Sequence, residues 1–195
     1  MTIQRGRLEA LVPERSLVDA WTWAHTPRRN RLAARELPLV RHALIDGVRS
    51  REFRVSAVRR ESARLGSHPG RAALEEVLAL VAGGCQSELE IWGVLHVLPG
   101  PPQVPAGVQQ HPVPLPGGRI VHLDAAFLEA MVAVELDGAS FHGSRLQRER
   151  DLRRDSALAA AGWVVLRFSY ERLVTDPEGC RREIVAAVLG RMVTR

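Results

Sequence analysis

The segment GGRIVHLDAAFLEAMVAVELDG, residues 117 to 138, decides the fold expected for this chain. It contains two apolar runs, at about 119–127 and 130–136, that are long enough for strands and bounded by glycine. A turn near residues 128–130 predicts that the two strands pair as an antiparallel hairpin.

Acidic side chains on this hairpin indicate a site. Side chains alternate along a strand, so Glu135 and Asp137 are expected on one face of the sheet. Counting outward from the turn places Asp124 of the first strand close to residues 133–135 of the second. Two carboxylates that meet across a sheet repel each other unless a cation or a proton lies between them. Magnesium suits such a site, because it takes oxygen ligands and binds through one or two carboxylates plus substrate phosphate.

These acids also have a structural explanation. Carboxylates at strand ends are commonly solvated, and Asp137-Gly138 is a turn signal in its own right. Spacing alone leaves both interpretations open.

The remainder of the second half predicts an α/β core. Residues 108–116 are interrupted by prolines, which predicts an edge strand, and WVVLRFS at 163–169 predicts a short buried strand. Helices are expected at 87–98, from about 145 to 162, and at 176–192. The predicted order is helix, three strands, helix, strand, helix, with the four strands in one mixed sheet.

The first part of the chain, residues 1–84, predicts an all-helical segment. Ser16 is expected to cap a first helix, and residues 28–51 are expected to form two helices broken near Pro38. Two further helices, at 54–66 and 68–84, each stop at glycine. The domains expected are therefore 1–84 and 85–195.

Composition indicates a globular protein with an anionic partner. Apolar content is 46% and charged content 25%, and no apolar run is long enough to cross a membrane. The first residues lack the apolar core of a secretory signal, so a cytoplasmic protein is expected. All 27 basic residues are Arg, and the chain contains no Lys. Its net charge of +5 favours polyanionic partners such as nucleic acid. Cys85 and Cys180 lack metal-site spacing and are expected to be reduced thiols.

The stretch from Asp124 to Phe168 resembles the PD-(D/E)xK nuclease superfamily, and within it the small bacterial domains similar to very-short-patch repair endonucleases. The motifs that carry the resemblance are Asp124, the strand end Glu135-Leu136-Asp137-Gly138, His142, the Arg/Asp-rich helix at 150–155, and AAAGWVVLRFS at 159–169. The helix opening SELE, with Glu90 as the matching acid, extends the resemblance to residues 87–170.

This resemblance implies a restriction-endonuclease-like αβββαβ core and a metal-dependent endonuclease that acts on DNA. Asp124 and Glu135 would hold Mg²⁺ or Mn²⁺, with the Leu136 carbonyl as a further ligand. Glu90 would anchor a second metal ion or orient the first. Ser87 and Glu90 also have the spacing of a helix capping box, which needs no metal.

One position departs from the superfamily motif, although the close relatives share the departure. The motif lysine is Asp137 here, and an acid adds negative charge where hydrolysis also creates it. Positive charge is then expected from His142, from a second metal held partly by Asp137, or from Arg154 or Arg167. His142 would donate a proton or contact phosphate, or else it is a structural loop histidine.

The charged helix after residue 145 allows two interpretations. Glu149 with Arg153, and Asp151 with Arg154, have the spacing of ion pairs on a solvated helix. The functional interpretation places basic side chains along a nucleic-acid backbone, namely Arg148, Arg150, Arg154 and Arg167.

Three functions are compatible with these patterns. The first is a metal-dependent endonuclease, and the second is a nucleic-acid-binding or regulatory module that keeps the nuclease fold without cleavage. The third, a structural interaction protein, leaves the strand-end acids unexplained. The expected partner is DNA and not a membrane, and the expected assembly is a homodimer or a larger defence or mobile-element system.

Overall fold

A computed structural model describes residues 2–5, 8–26, 33–137 and 145–193, with side chains at 11–26, 36–136 and 149–193. Predictions on His142 and on the side chains of Asp137 and Arg148 therefore fall outside the described residues. The chain divides into two units, Met1–Ile91 and Trp92–Arg195. Within the described ranges, every helix is too short or too polar to cross a membrane.

The first unit begins with a short hairpin and continues with helices. Strands β1 (Thr2–Arg5) and β2 (Leu8–Leu11) pair antiparallel. The helices that follow are α1 (Pro13–Ala24), α2 (Ala33–Arg49), α3 (Val55–Leu65), α4 (Arg71–Ala82) and α5 (Glu88–His96). The boundary between the two units falls inside α5.

Apolar side chains from α1 to α4 form the core of the first unit. Trp21, Leu44, Val58 and Leu78, one from each helix, are almost completely buried. The Trp21 indole N–H donates to the carbonyl of Gly70 at 2.9 Å. This bond satisfies the polar atom of the largest side chain in that core.

The beginning of this unit differs from the all-helical prediction for residues 1–84. Residues 2–5 and 8–11 form β1 and β2, and strands of four residues are too short to show a clear alternating pattern. Helix α1 begins at Pro13, so the predicted Ser16 cap is wrong. Proline is favoured at the first helical position because its φ is preset and its missing N–H needs no partner there.

The predicted break near Pro38 is also wrong. Helix α2 continues through Pro38, which lies early in the helix. A proline there removes one backbone hydrogen bond, and the burial of Leu44 and Ile45 further along α2 compensates for that loss. The glycine stops are confirmed, since α3 and α4 end at Gly66 and Gly83.

One four-stranded mixed sheet organises the second unit. Its strands are β3 (Val108–Pro114), β4 (Ile120–Phe127), β5 (Val132–Asp137) and β6 (Val164–Ser169), and they lie in that spatial order. The β3–β4 and β4–β5 pairs are antiparallel, and β6 is parallel to β5. The helices are α6 (Arg145–Ala160), α7 (Tyr170–Thr175) and α8 (Pro177–Val193). The strands, α6 and α8 agree with the prediction, whereas the six-residue helix α7 was not expected.

Strand β5 lies in the interior of this sheet. Its residues from Val132 to Leu136 are all buried, so Glu135 is held in an apolar strand. Helix α5 approaches the end of β5 closely: a Cβ atom at Gly93 would lie 2.5 Å from Leu136 Cδ1. Glycine at position 93 permits this approach without displacing Leu136.

Strand β3 is an edge strand, as its prolines predict. The Leu115 N–H donates to the Arg119 carbonyl at 2.7 Å, and successive amides of a strand point to opposite sides. Pro112 and Pro114 therefore occupy positions whose N–H groups would point away from β4. The ladder between β3 and β4 loses no hydrogen bond to these prolines.

Both cysteines are buried and form no disulfide, which agrees with the prediction of reduced thiols. Burial raises the pKa of the Cys85 thiol to about 12, and the negative charge of Glu90 adds to the effect. Because the thiolate is the reactive form, this cysteine is a packing residue.

Helix α6 is attached to the sheet through Leu158, which is fully buried with Leu123 and Ala133. Leu158→Ala should lower the free energy of unfolding by about 2–5 kcal/mol, because it leaves a cavity in this cluster. Leu152, on the same helix, is 63% exposed. Leu152→Ala should therefore change the free energy of unfolding by less than about 0.5 kcal/mol. Urea unfolding followed by circular dichroism measures both values. Equal losses would contradict this placement of α6.

Candidate functional site

The ladder between β4 and β5 ends beside two of the predicted site residues. Backbone pairing reaches Ala125 and Val134, and the next residues outward are Asp124 and Glu135. At this point Oδ2 of Asp124 accepts the N–H of Leu136 at 2.8 Å. The Asp124 carboxylate thus binds the amide that directly follows Glu135, so the hairpin brings the two acids to neighbouring positions.

Gln110 belongs to the same site and was missed by the sequence analysis. It lies opposite Asp124, because its neighbours Gln109 and His111 pair with Ala125 and Leu123. Its Nε2 lies 3.5 Å from Oδ1 of Asp124, at the limit of a hydrogen bond. The backbone φ of Gln110 is 48°, a left-handed value that is uncommon outside glycine and that often marks functional positions. A glutamine in a polar edge strand gives no sequence signal of this conformation.

Arg154 of α6 forms a bidentate ion pair with Glu135. Its Nη1 donates to Oε2 at 2.8 Å and its Nη2 donates to Oε1 at 2.7 Å. Nη2 also donates to the carbonyl of His122 at 3.0 Å. The two side chains are only 20% and 10% exposed, and a charge-assisted pair of this geometry is strong and directional. Arg154 is therefore the counter-ion of the buried carboxylate, and the predicted Asp151–Arg154 pair is wrong.

A second ion pair of opposite polarity lies next to the first. Asp155 follows Arg154 on α6, and its carboxylate accepts from Arg167 of β6 at 2.9 and 3.3 Å. Glu135 and Arg167 are register partners on the parallel strands β5 and β6. Arg154 and Asp155, which are consecutive on α6, thus each pair with a residue of opposite charge, and these two partners are neighbours on β5 and β6.

The donor atoms of this site suit a hard cation. Carboxylate oxygens of Asp124 and Glu135, with a backbone carbonyl such as that of Leu136, are the oxygen ligands that Mg²⁺ takes. In the present arrangement Arg154 engages both oxygens of Glu135, so a metal ion shared by these two oxygens would take the place of the guanidinium. Among the described residues no group of three or more His, Cys, Asp or Glu side chains is gathered around one point. The side chain of Asp137, and His142, lie outside the described residues.

Glu90 lies in the first unit, where it takes part in a variant of the capping box at the start of α5. Its backbone N–H donates to Ser87 Oγ at 3.1 Å, and the Ser87 hydroxyl donates to Oε1 of Glu90 at 3.0 Å. Oε2 accepts the backbone N–H of Gln86 at 2.9 Å. Both carboxylate oxygens therefore stabilise the start of α5, which is the structural role that the spacing allowed.

The other predicted arginines of α6 lie toward solvent where they are described. Arg150 is exposed, and Arg153 donates to Glu149 at 3.1 Å in the predicted exposed pair. The helix therefore divides into a solvated side and an inward side that carries Arg154 and Asp155.

The family model REase_MTES_1575, of a restriction-endonuclease-like family, matches residues 117–188. The match supports a restriction-endonuclease-like domain. Its range includes β4, β5, α6 and β6, and so contains both ion pairs and Asp124. The mixed sheet with flanking helices is compatible with a restriction-endonuclease-like fold. No curated protein and no solved structure matches the chain.

The Arg154–Glu135 pair should be energetically coupled within the segment that the family model matches. In a double-mutant cycle of Arg154→Gln and Glu135→Gln, the coupling should be about 1–3 kcal/mol, because either single change leaves a buried charge without its partner. The matched cycle of Glu149→Gln and Arg153→Gln, an exposed pair on the same helix, should give about 0.5 kcal/mol or less. Urea unfolding supplies all the free energies. Equal couplings would show that Arg154 is a surface residue.

Proposed function

We propose that the second unit is a metal-dependent endonuclease that hydrolyses phosphodiester bonds in DNA. The observation that carries the proposal is the placement of Asp124, Glu135 and the cation Arg154 together, within a segment that matches a restriction-endonuclease-like family. In this proposal the domain is of the PD-(D/E)xK type and is similar to the very-short-patch-repair-like domains. Helix α5, strands β3 to β5, helix α6 and strand β6 would form its αβββαβ core, and the activity would be cytoplasmic.

Asp124 and Glu135, with the Leu136 carbonyl, would hold Mg²⁺ or Mn²⁺ in the proposed site. A divalent ion, when bound, polarises the scissile phosphate and lowers the pKa of a bound water. Asp124 is oriented for this role by the Leu136 amide and by Gln110. Oriented carboxylates fix a ligand without a further entropic cost at the moment of reaction.

Positive charge for the reaction would come from the arginines of the site. Arg154 is adjacent to the proposed metal ligand Glu135, whereas Arg167 is engaged by Asp155. Asp137 stands where the superfamily has lysine. In this proposal Arg154 replaces that lysine in offsetting the negative charge that develops during hydrolysis. His142 would donate a proton to the leaving oxygen, and Glu90 would support a second metal ion.

DNA is the proposed substrate on the basis of charge. Residues 1–91 contain 15 Arg and 11 acidic residues, whereas residues 92–195 contain 12 Arg and 11 acidic residues. The first unit therefore carries +4 of the net charge of +5, which supports a role for it in binding phosphate backbone. Arg148 and Arg150 of α6 are proposed backbone contacts of the second unit. A homodimer, or a place in a larger defence or mobile-element system, is proposed for the assembly.

A second candidate is a nucleic-acid-binding or regulatory module that does not cleave. The full engagement of Glu135 by Arg154 favours it, because a buried ion pair satisfies both charges without any metal ion. In that case the carboxylate is structural and the site binds DNA through its arginines alone.

Glu135→Gln should abolish cleavage while preserving DNA binding. Glutamine keeps the size of the side chain but removes the charge that holds a metal ion, so Mg²⁺-dependent turnover on a plasmid should fall at least about 100-fold. Glu149→Gln removes an exposed acid from α6 and should cleave like the wild type. Circular dichroism verifies that both variants are folded. Salt-sensitive binding of DNA and RNA by the wild type, without any metal-stimulated cleavage, would favour the non-cleaving module.

Asp137→Lys tests the position at which the chain departs from the superfamily motif. If Asp137 is not itself a metal ligand, a lysine should retain or raise cleavage, because it offsets the negative charge that develops in the transition state. Asp151→Lys makes the same charge change at an exposed position of α6 and controls for tighter DNA binding. Cleavage rates of both variants are compared at equal Mg²⁺. Loss of activity in Asp137→Lys alone would make Asp137 a metal ligand.

A further inference from the structure

Arg154 occupies the position that a cation shared by the two oxygens of Glu135 would take. The two terminal guanidinium nitrogens, Nη2 and Nη1, bind different oxygens, at 2.7 and 2.8 Å. A bidentate fork of this kind uses the lone pairs on the open side of a carboxylate. A divalent ion that approached Glu135 with Arg154 in place would also meet the repulsion of a fixed positive charge in a poorly solvated site.

The guanidinium can leave this position without unfolding the helix. Helix α6 is held independently by Leu158 and by the Asp155–Arg167 pair. The Arg154 side chain is 20% exposed, so it has a route to solvent, and its four rotatable bonds permit a new direction. Its third contact, with the carbonyl of His122, is a single hydrogen bond.

The burial of Glu135 explains why a counter-ion is needed at all. The residue is 7% exposed and lies in an otherwise apolar strand. A carboxylate in such a place requires either a paired cation or a bound metal ion. Arg154 fills that requirement whenever no metal ion is present.

We propose that Arg154 and a divalent metal ion bind Glu135 in mutual exclusion. The arginine pairs with the carboxylate and orients it in the metal-free protein, and metal binding releases the guanidinium toward the substrate phosphate. Arg154 is thus a positioning residue before metal binds and a phosphate contact afterwards. The inference rests on the metal-dependent function proposed above, because it concerns the same carboxylate.

Metal binding without DNA tests this exclusion directly. Mn²⁺ is titrated into the full-length chain and followed by calorimetry and by the electron paramagnetic resonance of free Mn²⁺. Arg154→Gln should tighten the Mn²⁺ Kd by about tenfold, because the competing cation is removed. Arg153→Gln, the neighbouring residue in an exposed pair, should leave the Kd within about twofold of wild type. The double variant Arg154→Gln/Glu135→Gln should lose this binding.

The outcomes separate this inference from the function on which it rests. An unchanged Kd in Arg154→Gln, with binding still lost in Glu135→Gln, would overturn the exclusion and leave the metal-dependent nuclease standing. Absence of Mn²⁺ binding in the wild type and in every folded variant would overturn both.

A second measurement covers the case in which Arg154→Gln does not fold. The guanidinium N–H resonances of wild-type Arg154, assigned by their disappearance in Arg154→Lys, are followed during a Mg²⁺ titration. Release from Glu135 should expose these protons and speed their exchange with water. Resonances that stay unchanged while calorimetry records Mg²⁺ binding would contradict the proposal.

Discussion

The candidate site depends on how helix α6 is fixed against the sheet by two crossed ion pairs. Arg154 and Asp155 are consecutive on the helix, and they meet Glu135 and Arg167, which are register partners on β5 and β6. If the partners were exchanged, Arg154 would face Arg167 and Asp155 would face Glu135, so like charges would meet. Both ion pairs therefore form at one rotation and one axial position of α6. Leu158, one turn further along the helix, adds apolar burial at the same setting. Hydrophobic contacts hold the helix to the sheet, and the charges specify where it sits.

The sequence predicted the strands and α6, because their patterns are local. Alternation and the turn between β4 and β5 were enough to place Asp124 near Glu135. The inward direction of Arg154 was not predictable in the same way, since Asp151 offered a plausible partner one turn away. Helical spacing predicts only pairs within one helix. The buried carboxylate of Glu135 in β5 needs a cationic partner from another element of the fold. The left-handed backbone of Gln110 is likewise unpredictable from residue type, because glutamine has no preference for this conformation.

Ser87 and Glu90 show a different limit of sequence reasoning. The same spacing fits a capping box and a nuclease acid, and in the structure Ser87 caps the helix while Glu90 accepts the Gln86 N–H and the Ser87 hydroxyl. Those bonds engage both carboxylate oxygens in stabilising the first turn of α5. Any catalytic role of Glu90 therefore requires the carboxylate to be shared with the helix start or withdrawn from it. A role for this residue is consequently tied to the stability of α5.

The prolines of β3 have a consequence for self-association. An edge strand recruits a second chain through its outward N–H and C=O groups, and β3 lacks the outward donors at Pro112 and Pro114. The outward position before them is Gln110, whose left-handed backbone interrupts the extended geometry that a new strand would need. Both features weaken the pairing of β3 with a second copy of itself. A dimer that formed by strand pairing would therefore be disfavoured at this edge, whatever the faces of the sheet bind.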